Sequence, residues 1–415
     1  MRFIIFLLFI LVACLAQSLD AQPGCTDPQA TNFTSGAALN DGSCVYPVTN
    51  YTPATKTALA VVLNESSGLV MANGVLWTHN DSDAAPNIYQ IDTLTNTIIQ
   101  TVTLGGASVV DWEDIAFDGT YFYVGDFGNN ANGNRTDLKV YKFLLSAIPS
   151  GANVTVPETA VEVIQFSYAD QTDFLPQGSN NTRFDCEAMI VRDGQIHLFT
   201  KNWLENNTAH YELPAVAGTY QAEKHVAFFV DGLITGADIT ATGVIALAGY
   251  RLSSGECFMW LLYDYPDVAF FSGNKRRIEL GSVLGVGQME GICFRNNGHG
   301  YLSNERTLNL IPARLYSFSR AQWLPAVFLP TGRPVKKNDT LCRGLPNVLG
   351  ADQLPVLAGY MPANSRLAVW DTLGRRLWQG RSEELLPPHL DAGMYYLQVF
   401  EPENGNGCAV TFWVN

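Results

Sequence analysis

The chain has 415 residues, a net charge of −14, 15% charged residues and 47% hydrophobic ones. That length allows two or three domains and one sizeable core, and the composition excludes a disordered chain. An acidic balance repels phosphate backbones, which argues against nucleic acid as a partner.

Residues 1–21 pair one early positive charge with an unbroken apolar run, the pattern of a secretory signal peptide. Leu11-Val12-Ala13-Cys14 also fits a lipoprotein box, with cleavage near Ala16 or Ala21 as the other route. No later segment is apolar enough to span a membrane. An exported chain can form disulfides. Residues 24–46 (GCTDPQATNFTSGAALNDGSCVY) are too short for a core of their own, so a Cys25–Cys44 bridge is expected to hold them. Asp27, Asn32, Asn40 and Asp41 read as turn formers in this module, with calcium ligation as the alternative. Cys342 and Cys408 form a second candidate pair. Cys186, Cys257 and Cys293 are expected to be structural.

After a Pro/Thr/Asn linker a phrase recurs five times over 57–325: an acidic residue, an apolar run, a turn, and a second apolar run ending in polar groups. The copies start at Glu65, Glu113, Glu187, Ala237-Asp238 and Glu290. The long second interval holds the polar insertion DQTDFLPQGSNNTR, which reads as a loop. Most copies hold four strand-like runs, such as DIAF, YFYVGDF, LKVYKF and VEVIQFSY. The fifth copy shows three, and TALAVVL at 57–63 is placed to supply its fourth. This pattern predicts an all-β fold: a five-bladed β-propeller, six-bladed if the long interval hides a degenerate unit. A linker at 326–345 leads to strand-like runs over 346–415, expected to form a small β-sandwich.

Hairpin geometry brings the start of each unit's first strand and the end of its second to one mouth of the ring. Glu65, Glu113, Glu187, Asp238 and Glu290 are therefore the candidate cation ligands, with Asp114 and Asp185 adding charge. His79, Asn80, Asp81, Asp126, Tyr250, Arg251 and Glu305 should line the same mouth. Clustered carboxylates need a counter-charge, and hard oxygen donors favour calcium or magnesium over zinc or copper. Lys201, Arg251 and Arg306 are the competing neutralisers, and carboxylates bonding to strand-end backbone are the purely structural alternative. The six histidines are scattered, with no zinc-site spacing. No phosphate loop, Gly-x-Ser-x-Gly or His-Glu-x-x-His occurs.

Three resemblances add to this reading. The GCTD…DGSC.Y segment resembles a Cys-bounded motif of secreted Bacteroidetes proteins. Val369-Trp-Asp-Thr-Leu-Gly-Arg375, Ala392-Gly-Met-Tyr-Tyr-Leu-Gln-Val399 and the final strand resemble the C-terminal sorting domain of the type IX secretion system. That resemblance implies a partnership with the type IX machinery and a secreted or cell-surface location. Glu65-Ser-Ser-Gly68, Trp77-Thr-His-Asn-Asp81, Trp112-Glu-Asp-Ile115 and Glu290-Gly-Ile292 resemble the esterase-like, phytase-like and strictosidine-synthase-like propellers. The active members imply a calcium-assisted ester or phosphoester hydrolase. Here Glu113 or Glu187 would be the general base, and Lys201 or Arg306 would stabilise negative charge. The alternatives are a non-catalytic propeller binding a glycan, protein or small molecule, or a carboxylate-dependent glycosidase. Exposed Trp112, Trp203 and Tyr250 would favour a sugar.

Overall fold

The structure is a computed structural model. It describes residues 22–37, 39–82, 85–296, 298–320 and 322–324, and the backbone of strands 348–349, 366–371, 376–381, 393–400 and 407–414. The signal segment, the 326–345 linker and the side chains of Cys342 and Cys408 lie outside the described residues.

The middle of the chain is a β-propeller. Four antiparallel units follow one another in sequence. They open on the inner strands Ser66–Ala72, Trp112–Phe117, Cys186–Arg192 and Leu233–Ile239. A fifth opens on Met289–Asn296, continues through His299–Asn304 and Arg314–Ser319, and takes its outermost strand from Ala54–Ala58. The five inner strands contact one another in cyclic order, the fifth returning to the first. Closure therefore comes from the N-terminal side, as expected, but the closing strand starts three residues before TALAVVL and shares only Thr57 and Ala58 with it. Within 57–63, Leu59 and Leu63 are buried, Val61 and Val62 are exposed, and Val61–Leu63 is a 3-10 turn. The chain has to leave the outer edge and reach the ring axis there, and an extended strand could not make that change of direction.

Because each sheet is flanked by two others, both of its faces are apolar. Five apolar cores result, one at each junction. Leu69 and Leu76 meet Tyr301 and Leu315 across the closing junction. Val70 and Trp77 meet Phe122 and Phe143 at the next. Three similar cores complete the ring. Each fully buried side chain of this size contributes about 1.5–3 kcal/mol. Two outer edges are covered as well. Asn153–Val156 adds to the first unit in parallel with Ile98–Leu104, and Glu162–Tyr168 pairs in parallel with Gly218–Phe229. Such pairings remove open edges. The insertion at 170–183 forms no regular element.

The N-terminal module is joined by the Cys25–Cys44 disulfide and packs on the fourth unit. Asp27 accepts hydrogen bonds from the hydroxyls of Tyr46 (2.8 Å) and Tyr263 (2.6 Å), and Asn40 Nδ2 donates to the Asp264 carbonyl at 3.1 Å. Asn32 and Asp41 cap local turns. These oxygens hold the module together and to the ring, which is the turn-former reading. The C-terminal strands form one five-stranded sheet, and a second layer of the expected sandwich is not seen among the described residues. Among the described residues no helix is long and apolar enough to cross a membrane.

Candidate cation site at the mouth of the ring

Every inner strand carries a β-bulge close to its first residue. The register shifts between Ser66 and Leu69, Trp112 and Asp114, Cys186 and Ala188, Ile234 and Gly236, and Met289 and Gly291. A bulge inserts an unpaired residue and re-aims its side chain. The equivalent positions are therefore Ser67, Glu113, Glu187, Thr235 and Glu290. Two residues earlier stand Glu65, Asp111, Asp185, Leu233 and Gln288. This corrects the alignment read from sequence, which set Glu65 and Ala237-Asp238 level with Glu113. Glu65 belongs to the outer tier. The Ser67 and Thr235 hydroxyls donate to the backbone carbonyls of Glu113 (2.6 Å) and Met289 (2.7 Å), tying neighbouring units. Gly291 must be glycine, because a Cβ there would lie 2.5 Å from the Ser67 carbonyl.

Two carboxylate trios form where the tiers meet: Asp81, Asp111 and Glu113, then Glu113, Asp185 and Glu187. In each trio one oxygen per residue lies within 4.8 Å of the others. Glu113, Asp185 and Glu187 are buried. Gly128 makes the close approach possible, since a Cβ would stand 2.2 Å from Glu113 Oε1 and 2.4 Å from Asp111 Oδ2. Lys201 Nζ donates to Glu187 Oε2 at 2.7 Å and lies over the Trp203 and Tyr250 rings, at 4.9 and 5.5 Å. Asp185 accepts from Asn129 N (2.6 Å) and Trp203 Nε1 (2.7 Å). On the far side, Gln288 Nε2 donates to both Glu290 (2.6 Å) and Glu305 (2.9 Å).

Burial and mutual repulsion push these acids upward. Burial, then Asp111, raises Asp81 to about 8. Burial, then Asp185, raises Asp111 to about 6. Glu290 reaches about 8 by burial, against the pull of Lys201. Glu113 stands well above the usual carboxylate range, first through burial and then through Glu187. Burial opposes the charge on Lys201, but Glu187, Tyr250, Glu290 and Asp185 outweigh it and hold its proton more firmly than usual.

The remaining predicted residues stand outside the two trios, although Asp126 Oδ1 accepts from Asp111 N at 3.2 Å and Glu65 accepts from Ser82 at the rim. Asp238 lies further down its strand, and its Oδ2 accepts from Phe294 N at 2.6 Å. Asp114 does the same work, accepting from Met189 N at 2.7 Å and Ala237 N at 3.3 Å. Both stitch inner strands together. Asp126 is buried beside Arg135 (2.8 Å) and Lys139 (3.6 Å). Arg251 is paired with Asp231 at 2.6 Å and with Glu256. Arg306 is exposed, with its backbone N–H bonded to the Asn64 carbonyl at 2.6 Å. His79 is buried edge-on to Trp112, and Asn80 donates to the Val62 carbonyl. Glu65 is exposed at the rim and accepts from Ser82. Trp112 is 1% exposed, so it offers no platform for a sugar.

Asp111 and Gln288 were not singled out from sequence. The signal was present as a spaced pair, Asp111-x-Glu113 and Asp185-x-Glu187, with Gln288-x-Glu290 as a third form. In an extended strand such spacing puts both side chains on one face.

No known family model matches the chain, and no curated protein matches it. Among solved structures, a gluconolactonase from Xanthomonas campestris is 9% identical with a TM-score of 0.34, over 66% of this chain and 99% of that one. Regucalcin from Agrobacterium tumefaciens, a calcium-binding protein, is 10% identical with a TM-score of 0.34, over 65% of this chain and 95% of that one. PorZ of Porphyromonas gingivalis, a surface component of the type IX secretion system, is 14% identical with a TM-score of 0.31, over 92% of this chain and 48% of that one. This chain thus spans about half the length of PorZ. At these values the likenesses carry no reading of activity.

Proposed function

We propose that this chain is an exported β-propeller whose acidic mouth binds a calcium-like cation, and that it is suited to hydrolysing an ester or phosphoester held there. One observation carries the reading: two carboxylate trios share Glu113, and Lys201 is the one cation in hydrogen-bonding contact with them among the described residues. The donors fit a hard divalent ion. They are all oxygens, they converge, and Gly128 leaves the space that lets them do so. Asp81, Asp111, Glu113, Asp185 and Glu187 would hold it. When bound, such an ion polarises a substrate oxygen and makes a water easier to ionise.

The chain's own groups have complementary capacities. Asp81, raised by burial and by Asp111 while no ion is bound, would be ionised once it holds one, so the same cluster can trade protons for a cation. Lys201 stays charged and offsets Glu187. Gln288 orients Glu290 and Glu305 on the opposite side of the mouth. Export, and sorting through the type IX machinery, rest on the terminal sequence patterns described above.

The test is calorimetry of calcium binding to the full chain beside the Glu113→Gln/Glu187→Gln variant, followed by an ester and phosphoester screen with and without calcium. Stoichiometric binding lost in the variant is expected. Equal behaviour of the two proteins would end the cation reading. Binding without turnover would leave a calcium-dependent ligand-binding propeller.

A further inference from the structure

The third unit carries a second constellation, remote in sequence from the acidic mouth. His197 lies on strand Gln195–Thr200, His210 and Glu212 on Asn207–Pro214, and His225 on Gly218–Phe229. Pairing sets His197 directly opposite Glu212. A register shift between Ala209 and Tyr211 leaves His225 stacked on His210, with centroids 4.5 Å apart. The sequence scatters these residues, and the sheet collects half of the chain's six histidines on one face.

We propose that His197, His210 and Glu212 form a binding site for a divalent transition metal of the zinc class, with His225 beside Glu212. His197 Nδ1 is 3.0 Å from His210 Nε2 and 3.7 Å from Glu212 Oε2. The three ligand atoms all lie within 4.8 Å of one another. A tetrahedral ion with bonds of about 2.0–2.1 Å spaces its ligand atoms roughly 3.3 Å apart, between the two shorter separations seen here. Two imidazoles and one carboxylate suit zinc, cobalt, nickel or copper rather than calcium.

The surroundings fit as well. Phe199 stacks on His210 at 5.5 Å and Phe270 lies 4.7 Å from it, so one side of the site is dry. His197 and His210 are both buried, so their ring nitrogens face one another and Glu212 rather than solvent. His210 meets His197 through Nε2, while its Nδ1 is buried without a partner. Glu212 and His225 remain partly exposed, 24% and 36%, and give an ion a way in.

The test is titration of the full chain with Co²⁺, read by its visible absorption, with Zn²⁺ as competitor. One Co²⁺ per chain with the intense bands of a four-coordinate site is expected. His197→Gln and Glu212→Gln should each weaken binding at least roughly tenfold, as should the pair combined. The four-coordinate Co²⁺ bands should be the same in Glu113→Gln/Glu187→Gln, altered at the mouth, as in the parent. Thermal melts confirm that each variant is folded, and the partly exposed Glu212 keeps the test open if His197→Gln is not. Absence of stoichiometric Co²⁺ and Zn²⁺ binding, or unchanged binding in folded Glu212→Gln, overturns the proposal. So does binding lost only in the mouth variant.

Discussion

With calcium removed, the protein should become more stable as pH falls from 8 to 6.5, the reverse of ordinary acid denaturation. Asp81 and Glu290 are raised to about 8, against ordinary values of 3.8 and 4.5. Between those limits the folded state holds protons that the unfolded state has released, so each such group costs stability as pH rises. At 1.36 kcal/mol per proton and pH unit, each would contribute on the order of 1–2 kcal/mol across this window. Both groups are coupled to neighbouring acids, so the sum is set at about 2–3 kcal/mol. For a chain of this size that raises the melting temperature by roughly 4 °C. Below pH 6.5 the trend should flatten or reverse. His79 and His197 are lowered to about 4 and His210 to about 2, so the unfolded state takes up protons that these buried rings refuse. The assay is thermal melting in chelator from pH 5 to 8.5, beside Asp81→Asn/Glu290→Gln. A melting temperature that rises steadily from pH 6.5 to 8, or a double variant with the parent's slope, would refute the reasoning.

Calcium at about a hundred times its dissociation constant should stabilise the parent by about 2.7 kcal/mol and leave Glu113→Gln/Glu187→Gln unmoved, read by thermal shift. Gly128→Ala puts a methyl group against Glu113 and Asp111; a loss of about 1–3 kcal/mol in denaturant melts is expected, together with weakened calcium binding. Lys201→Met strands Glu187 without its 2.7 Å partner, and should cost about 3 kcal/mol at high pH and less as pH falls, because burial already raises the Glu187 carboxyl well above the usual range and it can take a proton instead. Reducing Cys25–Cys44 should loosen the N-terminal module, so limited proteolysis should cut within 24–46 only after reduction.

Much of the architecture was legible because strand chemistry is local. Apolar runs bounded by turn residues mark the strands, and their fivefold recurrence marks a ring of like units. Hairpin direction alone placed Glu113, Glu187, Glu290, Asp81, Glu305 and Lys201 around one mouth. The misplacements share a cause. A bulge adds one or two residues to each inner strand, so counting from an acidic residue gave Glu65 and Asp238 the wrong phase and hid Ser67 and Thr235. Tyr250 and Lys201 were foreseen near the acids, whereas Arg251 pairs outward with Asp231, which no local pattern reveals.

The sequence by itself determined the strand content, the repeat, the acidic endowment and the terminal export patterns, because each depends on neighbours along the chain. Tertiary structure alone decided which carboxylates meet and which instead bind backbone N–H groups, as Asp114 and Asp238 do. It also decided that Ala54–Ala58 closes the ring, and that His197, His210 and His225 share one face. Bulge phase and cross-strand register fix distances between residues far apart in sequence, and those distances set both the raised acidity constants and the converging ligand atoms.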